Sequence, residues 1–184
     1  IFHVSCPEVA EEIGRAQSRG VKVVAETCPH YLTLTEEDLK RDGFEGTKYI
    51  CSPPLRTNAA QEGMWQYIRS GVISIISSDH CGYTFDGSAG KGRHGRDADF
   101  SLIPNGMPGL GTRLPVFYDA AINSGKIDLT DFVRLTATTP AHRYGLYPQK
   151  GTIAPGSDAD LVLWDPKKSV TITNSLFQSN IDYT

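Results

Sequence analysis

Along the first 80 residues, short β-branched apolar runs alternate with stretches of helical period, and this alternation restricts the fold more than any other feature. The runs "IFHVS" at the start, "VKVVAE" at 21–26 and "GVISIISS" at 71–78 suit strands. Between them, "SCPEVAEEIGRAQSRG" repeats Val9, Ile13 and Ala16 at helical intervals and stops at Gly20, while "NAAQEGMWQYIRSG" turns Met64, Trp65 and Ile68 inward. Ser5 and Glu8 carry the S-x-x-E spacing of a capping box. Hairpin signals are few, so the pattern predicts an α/β chain with a parallel sheet covered by helices. The polar breaks fall at strand C-terminal ends: His3 with Ser5, Glu26 with His30, and Asp79 with His80. In barrels and open parallel sheets that edge hosts the chemistry.

Residues 80–113 form a long Gly-rich segment without periodicity, and loops of such length inside compact domains are functional or mobile. The "GKGRHGR" within it fails as a phosphate loop: Gly92 follows Lys91 where Ser or Thr is required, and Phe85 occupies the first glycine position. Helices are predicted from about 113 to 124 and from about 128 to 138, then a helical turn from Pro140 to Leu146. Beyond that, "KGTIAPGSDADLVLWDPKKSVTI" reads as strand and turn. The chain therefore divides into residues 1–146 and a small β appendage at 147–184.

Charge removes two classes of partner. With 18 basic and 21 acidic residues the net charge is −3, so no global field favours nucleic acid or an anionic membrane. No apolar run approaches the roughly 18 residues of a membrane span, and no basic start with an apolar core suggests export. Cys6, Cys28, Cys51 and Cys81 lack C-x-x-C spacing, and they read as reduced thiols of a cytoplasmic protein. The chain opens in an apolar run without Met and stops at "NIDYT" without a helix stop, so it reads as cut at both ends.

Asp79 invites a functional reading. A carboxylate beside a buried strand must be paired, hydrogen-bonded or metal-bound to offset its desolvation. His3 by itself fits either a hydrogen-bonded core histidine or a ligand. A carboxylate oxygen and an imidazole nitrogen on neighbouring strand tips would suit a hydrolytic zinc or manganese site.

"HVSC", "ETCPHYL", "KYICSPPLR", "SDHC", "DFSLIPNGMPG" and "KGTIAPGSDADLVLWDP" occur here in the order seen in dihydropyrimidinases and bacterial hydantoinases of the amidohydrolase superfamily, and the chain resembles that group over essentially its whole length. The resemblance implies the last three strands of a TIM-type (β/α)8 metal-dependent hydrolase barrel, plus strands of a small β-sandwich. It implies two divalent metal ions, zinc by expectation, bridged by a hydroxide and a carbamylated lysine that lies outside these residues. By the same resemblance His3 is a ligand of one metal, and Asp79 is both ligand of the other and the catalytic proton shuttle. Ser52 and Asn105 resemble residues whose backbone groups hold a cyclic ureide substrate. His30 and His80 match no metal histidine of the family and fall to supporting roles. Gly82 stands where Pro is common after "SDHC" and Gly111 where an acid is usual, which implies a looser loop. The complete enzyme would open hydantoin or dihydropyrimidine rings and assemble as a homo-oligomer, a tetramer in the family. The competing readings are a non-catalytic scaffold of the same fold and an allantoinase or dihydroorotase.

Overall fold

The computed structural model describes residues 1–176 and 180–183. Two regular strands form its sheet, β1 (Ala25–Thr27) and β2 (Ile73–Ile76), paired in parallel with Ala25 opposite Ile73 and Thr27 opposite Ile76. The strand expected at 21–26 starts late, because Val21 and Val23 bond locally, to Ala16 O at 3.1 Å and Val21 O at 2.9 Å.

The opening segment lies beside β1 without becoming a regular strand. Glu26 N–H donates to Ile1 O at 3.1 Å, and in a regular parallel ladder Glu26 O would then accept from residue 3. It accepts from Val4 at 3.0 Å instead, while His3 N–H turns to the Glu26 side chain at 2.8 Å. His3 has a φ of 56°, which breaks the extended repeat. The third strand expected at 1–5 is thus a bulged edge.

Helix α1 (Pro7–Ser18) begins with Pro at its first turn, where the missing N–H costs nothing. Its N-cap is Cys6, so the capping box expected from Ser5 and Glu8 is absent. Ser5 sits one residue too early and accepts from Arg56 Nε at 3.2 Å. Ala10 and Ile13 face the core while Val9 lies on the exposed side. A short helix α2 (His30–Thr33) follows β1. Helix α3 (Asn58–Arg69), capped by Thr57 Oγ1 on Ala60 N–H at 3.2 Å, buries Met64, Trp65 and Ile68 as expected. These side chains meet Ile73 and Ile76 of β2, and Trp65 stacks on Phe117 of α4 (Arg113–Tyr118). Each buried aliphatic or aromatic group of this kind contributes about 1.5–3 kcal/mol.

Helix α4 widens into a π-turn at Asp119–Asn123, in agreement with the helix expected at 113–124. Asp128 caps α5 (Leu129–Val133) by accepting from Asp131 N–H at 2.8 Å. A second π-turn at Arg134–Thr138 joins α5 to α6 (Thr139–Arg143), whose first turn takes Pro140. A small parallel sheet with helices packed on it is the α/β arrangement that the alternation implied.

The described residues of 147–184 carry no regular strand, and their one helical element is a 3₁₀ turn at Asn174–Leu176. Isolated extended chain has no ladder to satisfy its peptide groups. Leu163 is 99% exposed, although its neighbour Trp164 rests on Tyr118 at 4.7 Å between ring centres. Ile181 and Tyr183 do pack, with Phe44, Ile50, Phe85 and Ile103, and the Asp182 carboxylate accepts the Phe85 N–H at 2.6 Å.

Candidate active site

His3 and Asp79 are the two non-glycine residues with positive φ among the described residues, at 56° and 44°. An ordinary L-residue pays roughly 1–2 kcal/mol for that conformation, and such strain persists only where surrounding contacts over-determine it. The contacts are present. The edge beside β1 brings His3 in, and the chain leaving β2 through Ser77 and Ser78 brings Asp79 to meet it: Nε2 of His3 lies 3.3 Å from Asp79 Oδ1. On the other side of the ring, Nδ1 is 2.7 Å from Glu26 Oε1.

Glu26 is buried at 5% exposure, and its Oε1 faces both the His3 ring and the His3 N–H. A carboxylate can only accept, so the ring nitrogen facing Glu26 carries a proton, and Nε2 is the ring atom turned to Asp79. Metal-binding imidazoles are oriented in this way by a carboxylate behind them. Cys28 completes the cluster: its Sγ is 3.7 Å from His3 Nδ1 and 3.2 Å from Ser77 Oγ, and the ligand atoms of His3, Glu26 and Cys28 all lie within 4.8 Å of one another. Burial pushes the Cys28 thiol up to about 12, so it remains protonated at neutral pH and is a poor ligand until something displaces the proton. Burial also raises the Asp79 carboxyl, with Glu26 adding and His3 opposing. The imidazole nitrogen and the carboxylate oxygen that meet here, 3.3 Å apart, are both of the kinds that ligate divalent cations.

Ser52 and Asn105 are exposed, on segments fastened side by side by the Gly106 N–H donating to Ile50 O at 2.9 Å. The loop that carries Asn105 presses on the chain leaving β2. A Cβ on Gly106 would fall 2.2 Å from the Cys81 Cβ, and one on Gly109 2.8 Å from Ser78 O, so only glycine allows the approach. Cys81 N–H donates to Met107 O at 2.9 Å and closes the junction. The Asp79 charge acts on the thiols of both Cys51, beside Ser52, and Cys81.

His80 and His30 stand apart from the His3 and Asp79 pair. His80 Nδ1 accepts the N–H groups of Gly109 at 3.1 Å and Leu110 at 3.2 Å, which pins the loop. His30 lies against Tyr31, its buried Nε2 without a partner, and burial lowers it to about 4, with the His3 charge adding. Both line a cavity of about 580 Å³ with Ser78, Met107 and Arg113, and neither His3, Asp79, Ser52 nor Asn105 borders it. Glu26 and Cys28 are the participants the sequence reading did not assign. A carboxylate in a buried three-residue strand was the available signal for Glu26, but its partner lies 23 residues away.

Residues 3–184 match the profile described as "Amidohydrolase family". The chain is 50% identical over 184 residues to a D-hydantoinase of Ralstonia pickettii and 48% identical over 184 residues to one of Rhizobium radiobacter, in each case over 100% of this chain and 39% of the relative. The crystal structure of a dihydropyrimidinase from Brevibacillus agri superposes with a TM-score of 0.93 at 42% identity, over 99% of this chain and 39% of that one. The chain spans about 39% of the length of these relatives.

Proposed function

This chain belongs to the amidohydrolase family, and on that premise we propose that it supplies one face of the metal centre of a cyclic-amide hydrolase acting on hydantoins or dihydropyrimidines. The observation that carries the reading is the His3 ring held by Glu26 at Nδ1 with Nε2 turned to Asp79. His3 and Asp79 would hold the two divalent ions, one each, with zinc the expected metal and the bridging carbamylated lysine and remaining histidines coming from outside these residues. When bound, the metals supply Lewis acidity at the ring carbonyl.

The chain's own residues do the rest. Asp79 takes the proton of the attacking water and returns it to the leaving ring nitrogen, a task suited to a carboxylate whose burial raises its basicity. Peptide groups of Ser52 and Asn105 hold the ring amide. His80 keeps the Asn105 loop in place through the Gly109 and Leu110 amides.

In the complete protein residues 1–146 would form the last part of a (β/α)8 barrel, and 147–184 would contribute strands to a β-sandwich. The exposed run Leu161, Val162 and Leu163 then finds its partner there. Homo-oligomeric assembly and a cytoplasmic location belong to the same reading. A scaffold without catalysis is the weaker alternative, because such a protein has no use for the strained and mutually oriented His3 and Asp79. Comparing kcat/KM of the full-length protein on dihydrouracil, a 5-substituted hydantoin, allantoin and dihydroorotate tests the assignment. The first two should be preferred; a preference for dihydroorotate or allantoin would overturn the substrate, and no turnover on any with metals bound would overturn the activity.

A further inference from the structure

Lys91, left over from the rejected phosphate-loop motif, is fully buried at 0% exposure, and among the described residues it makes no ion pair. Its Nζ donates to Pro104 O at 3.0 Å and to Ile50 O at 3.4 Å. Those two carbonyls are informative. Pro104 directly precedes Asn105, Ile50 lies two residues before Ser52, and Ile50 O is also the acceptor of the Gly106 N–H. One ammonium therefore joins the two segments on which the proposed substrate contacts sit. Its own backbone is fastened in turn, with Lys91 N–H on Thr84 O at 2.8 Å and Gly92 N–H on Phe85 O at 3.2 Å. Gly90 has no room for a side chain there, since a Cβ would meet Thr84 O at 2.5 Å.

An ammonium taken out of water without a counter-ion is costly, and a Met of similar length would fill the same space without that cost. Burial accordingly lowers Lys91 to about 8. A group this unfavourable for folding calls for a reason outside packing.

We propose that Lys91 is a positioning residue, whose ammonium clamps the 50–53 and 104–106 segments so that the peptide groups of Ser52 and Asn105 meet one ring amide together. The inference rests on the reading of Ser52 and Asn105 given above. Besides apolar packing of Ile50 near Ile103 and of Cys51 near Met107, the Gly106 to Ile50 bond is the one backbone hydrogen bond between the two segments among the described residues. The Pro104 contact adds a second fastening next to Asn105, which sets the distance between the two substrate groups.

The test uses the full-length protein with Lys91→Met, which keeps length and loses the donors, and Lys91→Gln, which keeps an N–H donor without charge. Two readouts are taken: hydrogen exchange of the Gly106 amide without substrate, and KM and kcat on dihydrouracil. Lys91→Met should lower Gly106 protection about tenfold and raise KM about tenfold, with kcat within about threefold and metal content and Tm retained. Lys91→Gln should recover part of both. Unchanged protection and KM in Lys91→Met, beside a wild type that opens the ring, would overturn the role of Lys91 alone. A joint fall of kcat, Tm and metal content in both variants would also overturn it, by making the lysine structural. A wild type that opens no cyclic ureide would overturn the substrate reading and the purpose of Lys91 with it.

Discussion

Nδ1 of His3 lies 2.7 Å from Glu26 Oε1, and that same oxygen accepts the His3 backbone N–H at 2.8 Å. One buried carboxylate thus fixes both the ring and the left-handed backbone of the residue that faces Asp79. The irregular edge beside β1 is the means by which the imidazole reaches the strand tips.

Glu26→Gln keeps the shape and removes the charge behind the ring. We expect metal affinity of the full-length protein to fall about 10- to 100-fold, as for other groups that orient a ligating imidazole. Competition with a chelating dye measures it. Affinity equal to wild type would mean that Glu26 merely packs.

Asp79→Asn tests the proton-transfer position, with metal content measured on the same samples because Asp79 is also an expected ligand. Asn tolerates the positive φ of 44° at this site better than Ala would, so the backbone survives. The amide cannot accept and return a proton, and kcat should fall by about 10² to 10⁴ with a much smaller change in KM. Near-normal kcat with both metals bound would remove Asp79 from the chemistry.

Sequence periodicity located α1, α3 and the two C-terminal helices because each buries one stripe of apolar residues, as Met64, Trp65 and Ile68 do. It misjudged the opening segment, since "IFHVS" has strand composition and nothing in it reveals that His3 turns to a positive φ to reach Glu26. Asp79 was legible because a carboxylate after Ile73–Ile76 is anomalous by itself. Glu26 and Lys91 were not, for their meaning lies in partners 23 and 41 residues away. The 147–184 stretch has the composition of strands, and strands form only against a partner, which the described residues do not provide.

His30 makes stability fall in mild acid. Its imidazole is held neutral by burial, at about 4 against 6.5 in the unfolded chain, so the unfolded state binds the extra proton between those values. Its contribution is complete above pH 6.5 and is lost as pH falls toward 4, by about 2 kcal/mol at pH 5. His30→Phe loses no Nε2 hydrogen bond, because that atom has no partner. Urea midpoints of the full-length protein should therefore decline less steeply from pH 7 to 5 in the variant, and parallel declines would refute the assignment.

If His3 and Asp79 each ligate a metal, elemental analysis of the full-length protein beside its His3→Ala variant will show it, with hydantoin opening followed on the same samples. Two divalent ions per wild-type chain are expected, with loss of at least one in the variant and turnover reduced by about 10² or more with it. A variant that retains both metals and near-normal turnover, or a wild type that opens hydantoin with no metal bound, would contradict that ligation.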